Sequence, residues 1–244
     1  MKNSVIAIVP AAGLGKRFGE GTNKPFANLG DKPLIIWAVE ALQVLPEITE
    51  IIPAVKETDI GLCRRLFEDY SITKIRRIAA GGRERQDSVL NGISLIQDRT
   101  AIVLVHDGVR PLIEPSVIKK VLQQLNDCDG VVVGVPIKDT VKEVTEGVVR
   151  RTPERNTLWA IQTPQAFHFQ ALYDAYKKAA ADSFYATDDS ALVERNGGKI
   201  KVIQGSYTNI KVTTPEDLLI AEVFLKMRRS ESCGQVLATI RTDL

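Results

Sequence analysis

The sequence predicts a doubly wound α/β fold with a mostly parallel, Rossmann-like sheet and one protruding β-hairpin. Short apolar runs, such as residues 5–9 and 101–105, alternate with segments of helical periodicity along most of the chain. This alternation is typical of parallel strands that are buried on both faces and joined by crossover helices. The exception is the stretch 140–149, which contains two β-prone runs with no helix between them. We therefore predict a single domain over residues 1–229, with a β-hairpin arm over residues 137–156 and a poorly ordered tail over residues 230–244.

The elements follow from local patterns taken in chain order. Strands are predicted over residues 5–9, 48–55, 74–79, 101–105, 130–135, 199–203 and 209–213, and helices over residues 34–45, 59–70, 86–96, 114–125, 167–180, 187–197 and 214–225. The last helix has the clearest start, because Thr214 can cap it and is followed by Pro215 and two acidic residues. No element is predicted for residues 155–165, which lead from the arm back into the domain.

The hairpin predicts a homodimer. Its two runs flank Thr145, Glu146 and Gly147, and much of their surface is charged. An isolated two-stranded hairpin is marginally stable in water, so this one needs a second surface. The simplest such surface is the same arm of a second subunit. Packing of the hairpin on its own domain is the alternative.

The loop after the first strand has the features of an anion-binding site. Gly13 and Gly15 allow backbone N–H groups to approach phosphate oxygens, and Lys16, Arg17 and Lys24 add positive charge. These residues suit a highly charged triphosphate. An ordinary strand-to-helix turn with solvated lysines is the alternative, and these residues do not decide between the two.

Two better-known phosphate loops do not match this segment. The dinucleotide fingerprint requires a glycine where Phe18 stands, and an acidic residue near Val55, where there is none. A Walker loop requires Ser or Thr after its lysine, but Arg17 follows Lys16. A nicotinamide oxidoreductase is therefore disfavoured.

Other candidate site residues lie beyond this loop. Gly82 precedes a predicted helix with Ser88 in its first turn, which indicates either a second nucleotide contact or a tight turn; alone, this stretch favours the turn. Asp107 follows the strand 101–105, at the sheet edge where ligands gather, and a carboxylate beside phosphates needs a divalent cation between them. Asp107 is thus our candidate Mg²⁺ ligand, with a turn or helix cap as the alternative. His106 is expected to be structural, and Lys211, on a predicted strand, is directed to the same edge.

The composition excludes several classes of protein. A net charge of +2, from 32 basic and 30 acidic residues, provides no bulk attraction to nucleic acid or membranes. The three cysteines, Cys63, Cys128 and Cys233, lack the spacing of a zinc site and are odd in number, so no disulfide framework is expected. No signal peptide or membrane span is recognisable, and a cytoplasmic protein is predicted.

Together these motifs closely resemble those of the 2-C-methyl-D-erythritol 4-phosphate cytidylyltransferase family. The matching segments are residues 10–17, 24–25, 82 with 88, 106–111, 163–165, 187–188 and 209–212. The resemblance extends from Val5 to about Lys226. It implies a nucleotidyltransferase that moves CMP from CTP to 2-C-methyl-D-erythritol 4-phosphate with Mg²⁺ and releases pyrophosphate.

The resemblance also implies three groups of site residues. The catalytic cations are Arg17, Lys24 and Lys211; the nucleotide contacts are Ala11, Ala12, Gly13, Gly15, Gly82, Ser88 and Asp107, with Asp107 near Mg²⁺; the acceptor contacts are Arg110, Thr140, Arg155, Thr163, Thr187 and Lys211. Thr140 and Arg155 are expected to come from the arm of the other subunit. Arg83 departs from the pattern, since relatives often have Asp or a small residue there.

Two other functions compete with this one. A ribitol 5-phosphate cytidylyltransferase would share most nucleotide motifs, although the segment 209–212 favours methylerythritol phosphate. A catalytically idle nucleotide-binding module is disfavoured, because binding alone would not need Arg17, Lys24, Asp107 and Lys211 together.

Overall fold

A seven-stranded sheet forms the centre of the computed structural model, which describes residues 4–13, 18 and 24–230. The strands of the molecule are β1 (Val5–Pro10), β2 (Asn28–Leu29), β3 (Lys32–Pro33), β4 (Ile48–Val55), β5 (Ala79–Ala80), β6 (Ile102–Val105), β7 (Gly130–Pro136), β8 (Glu143–Thr145), β9 (Val148–Arg151), β10 (Trp159–His168) and β11 (Ile200–Gln204). The central sheet has the order β11-β7-β10-β6-β1-β4-β5. All neighbours are parallel except β10, which is antiparallel to β6 and to β7. The predicted fold class, α/β with a mostly parallel sheet, is confirmed.

Helices cover both faces of this sheet. They are α1 (Leu34–Gln43), α2 (Ile60–Asp69), α3 (Arg85–Ser94), α4 (Pro115–Gln123), α5 (Phe169–Ala181), α6 (Asp189–Arg195) and α7 (Pro215–Arg229). One apolar core lies between the sheet and α1, α2 and α4, and a second lies between the sheet and α3, α5 and α6. Strand β1 contributes Ala7 to the first core and Ile8 to the second. Because successive strand side chains point to opposite faces, its continuous apolar run fills both cores.

Helix α7 packs against a third apolar cluster beside the sheet. Ala221 and Leu225 on α7 contact the region of Leu29, Val109 and Val212. Thr214 caps the helix and forms a reciprocal capping box with Asp217, as its sequence predicts. This packing holds the segment before α7, including residue 211, against the end of β6.

Two predicted elements differ from the structure, and one strand of the central sheet has no predicted counterpart. The third strand is confined to Ala79–Ala80, and Ile75 forms only an isolated bridge to Ile51. Strand β10 was not predicted, because Pro164 interrupts its pattern and cannot donate to the ladder; the register with β7 shifts between Gln162 and Gln165. Residue 211 lies in an extended segment outside the sheet.

The segment 137–156 contains the hairpin of β8 and β9. The turn between them is formed by Glu146 and Gly147, with φ of 51° and 78°. Every residue from 138 to 152 is exposed. The hairpin therefore buries none of these residues against its own domain.

The described part of the chain has no helix that is both long and apolar enough to cross a membrane. Residues 231–244, which include Cys233 and most of the predicted tail, lie outside the described residues.

Candidate functional site

The main cleft among the described residues lies where four parallel strands end. It has a volume of about 740 Å³. Residues that directly follow β1, β4, β5 and β6 line it: Ala11, Ala12 and Gly13 after β1, Lys56 after β4, Gly82 after β5 and Asp107 after β6. Carboxyl ends of neighbouring parallel strands form the usual ligand crevice of open α/β sheets. The predicted ligand edge of the sheet is thus a real cavity.

The cleft is strongly cationic. Its lining contains the basic side chains of Lys24, Lys56, Arg83, Arg85 and Lys211, and the carboxyl side chains of Glu84 and Asp107. Five basic groups against two acidic ones leave a positive surplus, although the whole chain is almost neutral. Such a local field attracts polyanions into the site.

The first loop and the Gly81–Gly82 turn approach each other closely. A Cβ on Gly81 would lie 2.1 Å from Cβ of Ala12, so only glycine fits there without displacing the loop. Ser88 accepts a hydrogen bond from the backbone N–H of Gly82 at 3.0 Å and donates to the carbonyl of Glu84 at 3.1 Å. Ser88 therefore holds the tight turn in shape, and Gly82 and Ser88 also line the cleft, where the nucleotide contact stays a prediction.

Asp107 is the centre of a buried ion network. Its Oδ1 accepts a hydrogen bond from Nε of Arg85 at 2.9 Å, and its Oδ2 lies 2.8 Å from Nζ of Lys211. Nε of Arg110 lies 3.6 Å from the same Oδ2 and has no hydrogen-bond partner among the described residues. Burial alone would raise the pKa of Asp107, but Arg85, Lys211 and Arg110 outweigh it and hold the pKa well below its usual range. Asp107 is therefore an anion at neutral pH.

Arg85 extends this network to the start of α6. Its Nη1 and Nη2 donate to the two carboxylate oxygens of Asp189 at 3.0 and 2.7 Å. The hydroxyl of Tyr176 also donates to Asp189, which is fully buried. A single guanidinium thus connects the end of β6 with the helix that follows Thr187.

His106 and Thr163 fix the backbone at Asp107. The hydroxyl of Thr163 accepts a hydrogen bond from the backbone N–H of Asp107 at 3.0 Å and lies 3.2 Å from Nδ1 of His106. Nε2 of His106 lies 3.1 Å from the carbonyl of Arg110. Burial lowers the pKa of His106 to about 4, so the ring is neutral, and a proton on Nε2 satisfies this carbonyl. The interpretation of His106 as structural agrees with these contacts.

Of the six predicted acceptor contacts, Lys211 lines the main cleft, and the other five lie in three separate places. Thr163 and Arg110 are buried behind Asp107, where Nη1 of Arg110 donates to the carbonyl of Asn209 at 2.8 Å. Thr187 is exposed and lines a second pocket of about 520 Å³, which shares Arg83 to Arg85 with the main cleft. Thr140 and Arg155 lie on the exposed arm and line neither cavity.

The predicted nucleotide contacts that the structure describes all line the main cleft. They are Ala11, Ala12, Gly13, Gly82, Ser88 and Asp107, joined by the predicted catalytic cations Lys24 and Lys211. Gly15 and Arg17 lie outside the described residues. Arg85 and Asp189 were missed. The pair is separated by more than a hundred residues in sequence, and the only available signal was that Asp189 is one more acidic residue than a helix start needs.

The ion pairs of Asp107 affect whether it could bind Mg²⁺ directly, as the sequence predicts. Both oxygens of Asp107 are engaged by cations, and the described residues contain no cluster of three or more side chains that could hold a metal. Mg²⁺ requires oxygen ligands in near-octahedral geometry and often takes most of them from phosphates and water. A direct bond to Asp107 therefore does not fit this arrangement.

Comparisons with known proteins identify the family of this chain. The family model of 2-C-methyl-D-erythritol 4-phosphate cytidylyltransferase matches residues 5–227. The enzyme of that name from Geotalea uraniireducens is 45% identical over 230 residues, covering 93% of this chain and 99% of the relative. The one from Syntrophotalea carbinolica is 44% identical over 224 residues, covering 91% and 96%.

Solved structures show the same fold. The crystal structure of 4-diphosphocytidyl-2C-methyl-D-erythritol synthase from Anaerococcus prevotii aligns with a TM-score of 0.82 at 32% identity, covering 92% of this chain and 97% of that one. The family match, the identities and the shared fold all span most of the chain. The chain therefore belongs to the 2-C-methyl-D-erythritol 4-phosphate cytidylyltransferase family and transfers CMP from CTP to 2-C-methyl-D-erythritol 4-phosphate, giving 4-diphosphocytidyl-2-C-methyl-D-erythritol and pyrophosphate in the non-mevalonate isoprenoid pathway.

Proposed function

We propose that the main cleft holds CTP and that its cations, rather than a covalent intermediate, promote the transfer. The observation that carries this proposal is the surplus of basic side chains at the strand ends, where Ala11 to Gly13 present their backbone. A phosphate oxygen of the acceptor forms a bond to the α-phosphorus, while the bond from that phosphorus to the bridging oxygen breaks. Pyrophosphate leaves with the electron pair. Because both reactants are anions, positioning and cationic stabilisation dominate the catalysis.

We propose that Lys24 and Lys211 bind and stabilise the reacting phosphates. Arg17, which lies outside the described residues, is proposed to do the same. Lys24 and Lys211 both line the cleft, and Lys211 keeps 39% of its side chain exposed although it pairs with Asp107. Removing one such donor typically lowers turnover by about a hundredfold or more. Substitution of Lys211 by methionine tests this assignment, since turnover near normal in a folded variant would contradict it.

Mg²⁺ is proposed to arrive with CTP, ligated by phosphate oxygens. Lys24 and Lys211 would share the phosphate charge with the ion, while Asp107 stays paired with Arg85. When bound, the ion would withdraw negative charge from the triphosphate. Measuring the activity of Asp107→Asn at increasing Mg²⁺ concentration tests whether Asp107 acts on the ion only indirectly. An unchanged Mg²⁺ requirement supports it, and a large rise in the Mg²⁺ concentration needed for activity would instead indicate direct ligation.

The acceptor is proposed to bind between the Thr187 pocket and the arm of a second subunit. The pocket at Thr187 adjoins the main cleft through Arg83 to Arg85. Thr140 and Arg155 are exposed on an arm whose valines Val144 and Val148 are also exposed, at 53% and 60%. Exposed valines on a marginal hairpin favour a partner surface. We therefore propose a homodimer through residues 137–156; sedimentation of the wild type and of Val148→Glu tests it, because a monomeric wild type would exclude it.

Acceptor choice is tested directly by pyrophosphate release from Mg-CTP. Methylerythritol phosphate and ribitol 5-phosphate should be compared at equal concentration. Release with methylerythritol phosphate alone is the expected result, and equal release with ribitol 5-phosphate would show that the proposed acceptor site does not discriminate between the two. The cytoplasm is the proposed location, consistent with free Cys63 and Cys128.

A further inference from the structure

Arg85 is one of the cleft cations, and it also joins two buried carboxylates. Asp107 lies at the end of β6, beside the nucleotide contacts, and Asp189 begins α6, just after Thr187. As whole residues, Asp107 and Asp189 are 4% and 0% exposed to solvent. Arg85 donates one hydrogen bond to Asp107 and two to Asp189. Its guanidinium therefore lies between the nucleotide side and the proposed acceptor side of the site.

The network has one more cation than it has anions. Arg85, Arg110 and Lys211 surround Asp107 and Asp189. Side-chain exposure is 1% at Asp189, 6% at Asp107 and 11% at Arg110, but 39% at Lys211. Leaving a buried carboxylate unpaired is costly, whereas an exposed ammonium group remains hydrated when it moves. Lys211 is thus the member that can leave the network for a substrate phosphate.

Release of Lys211 depends on what remains at Asp107. Arg85 supplies the hydrogen bond to Oδ1, while Arg110 stands 3.6 Å from Oδ2 with its Nε unpaired among the described residues. Without Arg85, Asp107 would lose its strongest remaining partner, and its charge would hold Lys211 more tightly. We infer that Arg85 is a positioning residue: by pairing with Oδ1 of Asp107 it frees Lys211 to act on the substrate phosphates. This inference rests on the proposed role of Lys211.

A paired substitution separates this role from folding. Arg85→Gln should lower both the unfolding midpoint and kcat, because Asp189 loses its partner and Asp107 retains Lys211. In the double variant Arg85→Gln with Asp189→Asn, the buried charge at position 189 is removed, so the midpoint should recover. Its kcat should stay at least about tenfold low, as expected for a misplaced catalytic group, with KM for CTP little changed. Recovery of kcat together with the midpoint would show that Arg85 serves folding alone and would overturn the inference.

Arg77 provides a matched control for a lost arginine pair. Its Nε and Nη2 donate to the two oxygens of buried Glu50 at 2.8 and 2.6 Å, near the opposite end of the sheet. Arg77→Gln should lower the midpoint without lowering kcat. A loss of kcat in this control equal to that of Arg85→Gln would mean that any lost arginine pair impairs turnover, which would also overturn the inference.

A double-mutant cycle tests the link to Lys211. If Arg85 acts through Lys211, Arg85→Gln should cost much less kcat in a Lys211→Met background than in the wild type, as measured by single turnover. Equal costs in both backgrounds would overturn the inference while leaving the assignment of Lys211 intact. Near-normal turnover of Lys211→Met alone would instead contradict the proposed function itself.

Discussion

Activity should return when two inactive variants form a mixed dimer. Lys24→Ala removes a cation from the cleft of its own subunit, whereas Arg155→Ala removes a group that the arm would carry to the other subunit. In a mixed dimer, the body of the Arg155→Ala subunit has an intact Lys24 and receives an intact arm from its partner. That site is complete, and the other site has both defects.

The structure explains why Arg155 is not expected to serve its own cleft. Thr163 contacts Asp107 at the cleft, and Trp159, four residues earlier in β10, lies roughly 13 Å from it at the usual strand rise. Arg155 lies beyond Trp159, and its Nη1 donates to the carbonyl of Lys138 within the same arm at 3.2 Å. Arg155 therefore does not line the cleft of its own chain.

The expected magnitude follows from the pairing of subunits. Random pairing of equal amounts makes half the dimers mixed, each with one complete site of two, so the mixture should regain about a quarter of wild-type activity. Mixed dimers isolated with two different affinity tags should have about half the wild-type turnover. Pyrophosphate release with saturating CTP and methylerythritol phosphate measures both.

The control pairs two defects that belong to the same body. Lys24→Ala mixed with Lys211→Met leaves each body with one damaged cation, so mixing should restore nothing. If purified mixed dimers of Lys24→Ala and Arg155→Ala are as inactive as this control, the arm does not complete the site of its partner, and the reasoning from the hairpin fails.

Four further outcomes are expected. Lys24→Ala should lower turnover roughly a hundredfold or more in a folded protein, because one donor to the transition state is lost; near-normal kcat would refute it. Gly81→Ala should raise KM for CTP by about tenfold or more, since its Cβ would lie 2.1 Å from that of Ala12, whereas Gly61→Ala, with nothing within 4 Å of the new Cβ, should not. Chelation of Mg²⁺ should abolish pyrophosphate release without shifting the unfolding midpoint of the ligand-free protein; a large shift would reveal a structural metal. Cys63 should resist thiol reagents at pH 8 until the protein unfolds, because burial raises the pKa of its thiol to about 12; mass mapping of the modified cysteine checks this.

Patterns within one element were enough to predict most of the sheet. Strand β4 is Ile48–Val55, as predicted, because residues 51–55 form a continuous apolar run that is buried on both faces. The segment 74–79 has a β-prone sequence but is charged at Arg76 and Arg77, and it pairs with β4 only through the isolated bridge at Ile75 and at its end. Strand β10 depends on contacts with β6 and β7 that lie far away in sequence, so local periodicity could not reveal it.

The site was predictable to the same extent. Asp107 was placed beside the Gly13 loop because strand ends meet at one sheet edge, and both residues line the cleft. The partners of Asp107 were not predictable, since Arg85 reaches it across an ion network that no spacing rule describes. The predicted direct bond to Mg²⁺ rested on a carboxylate facing phosphates alone and did not include the three cations around Asp107, which favour an indirect role.

Several groups that hold the site residues in position do not line the cleft. Thr163 holds the backbone N–H of Asp107, and His106 links Thr163 to the carbonyl of Arg110. A charged imidazole in this position would add a fourth cation beside Asp107, and the low pKa of His106 prevents this at neutral pH. The ring can therefore order the turn after β6 without competing for the carboxylate. Neutral hydrogen bonds thus position Asp107, while the arginines balance its charge. Lys211 remains as the cation that can move to a substrate phosphate.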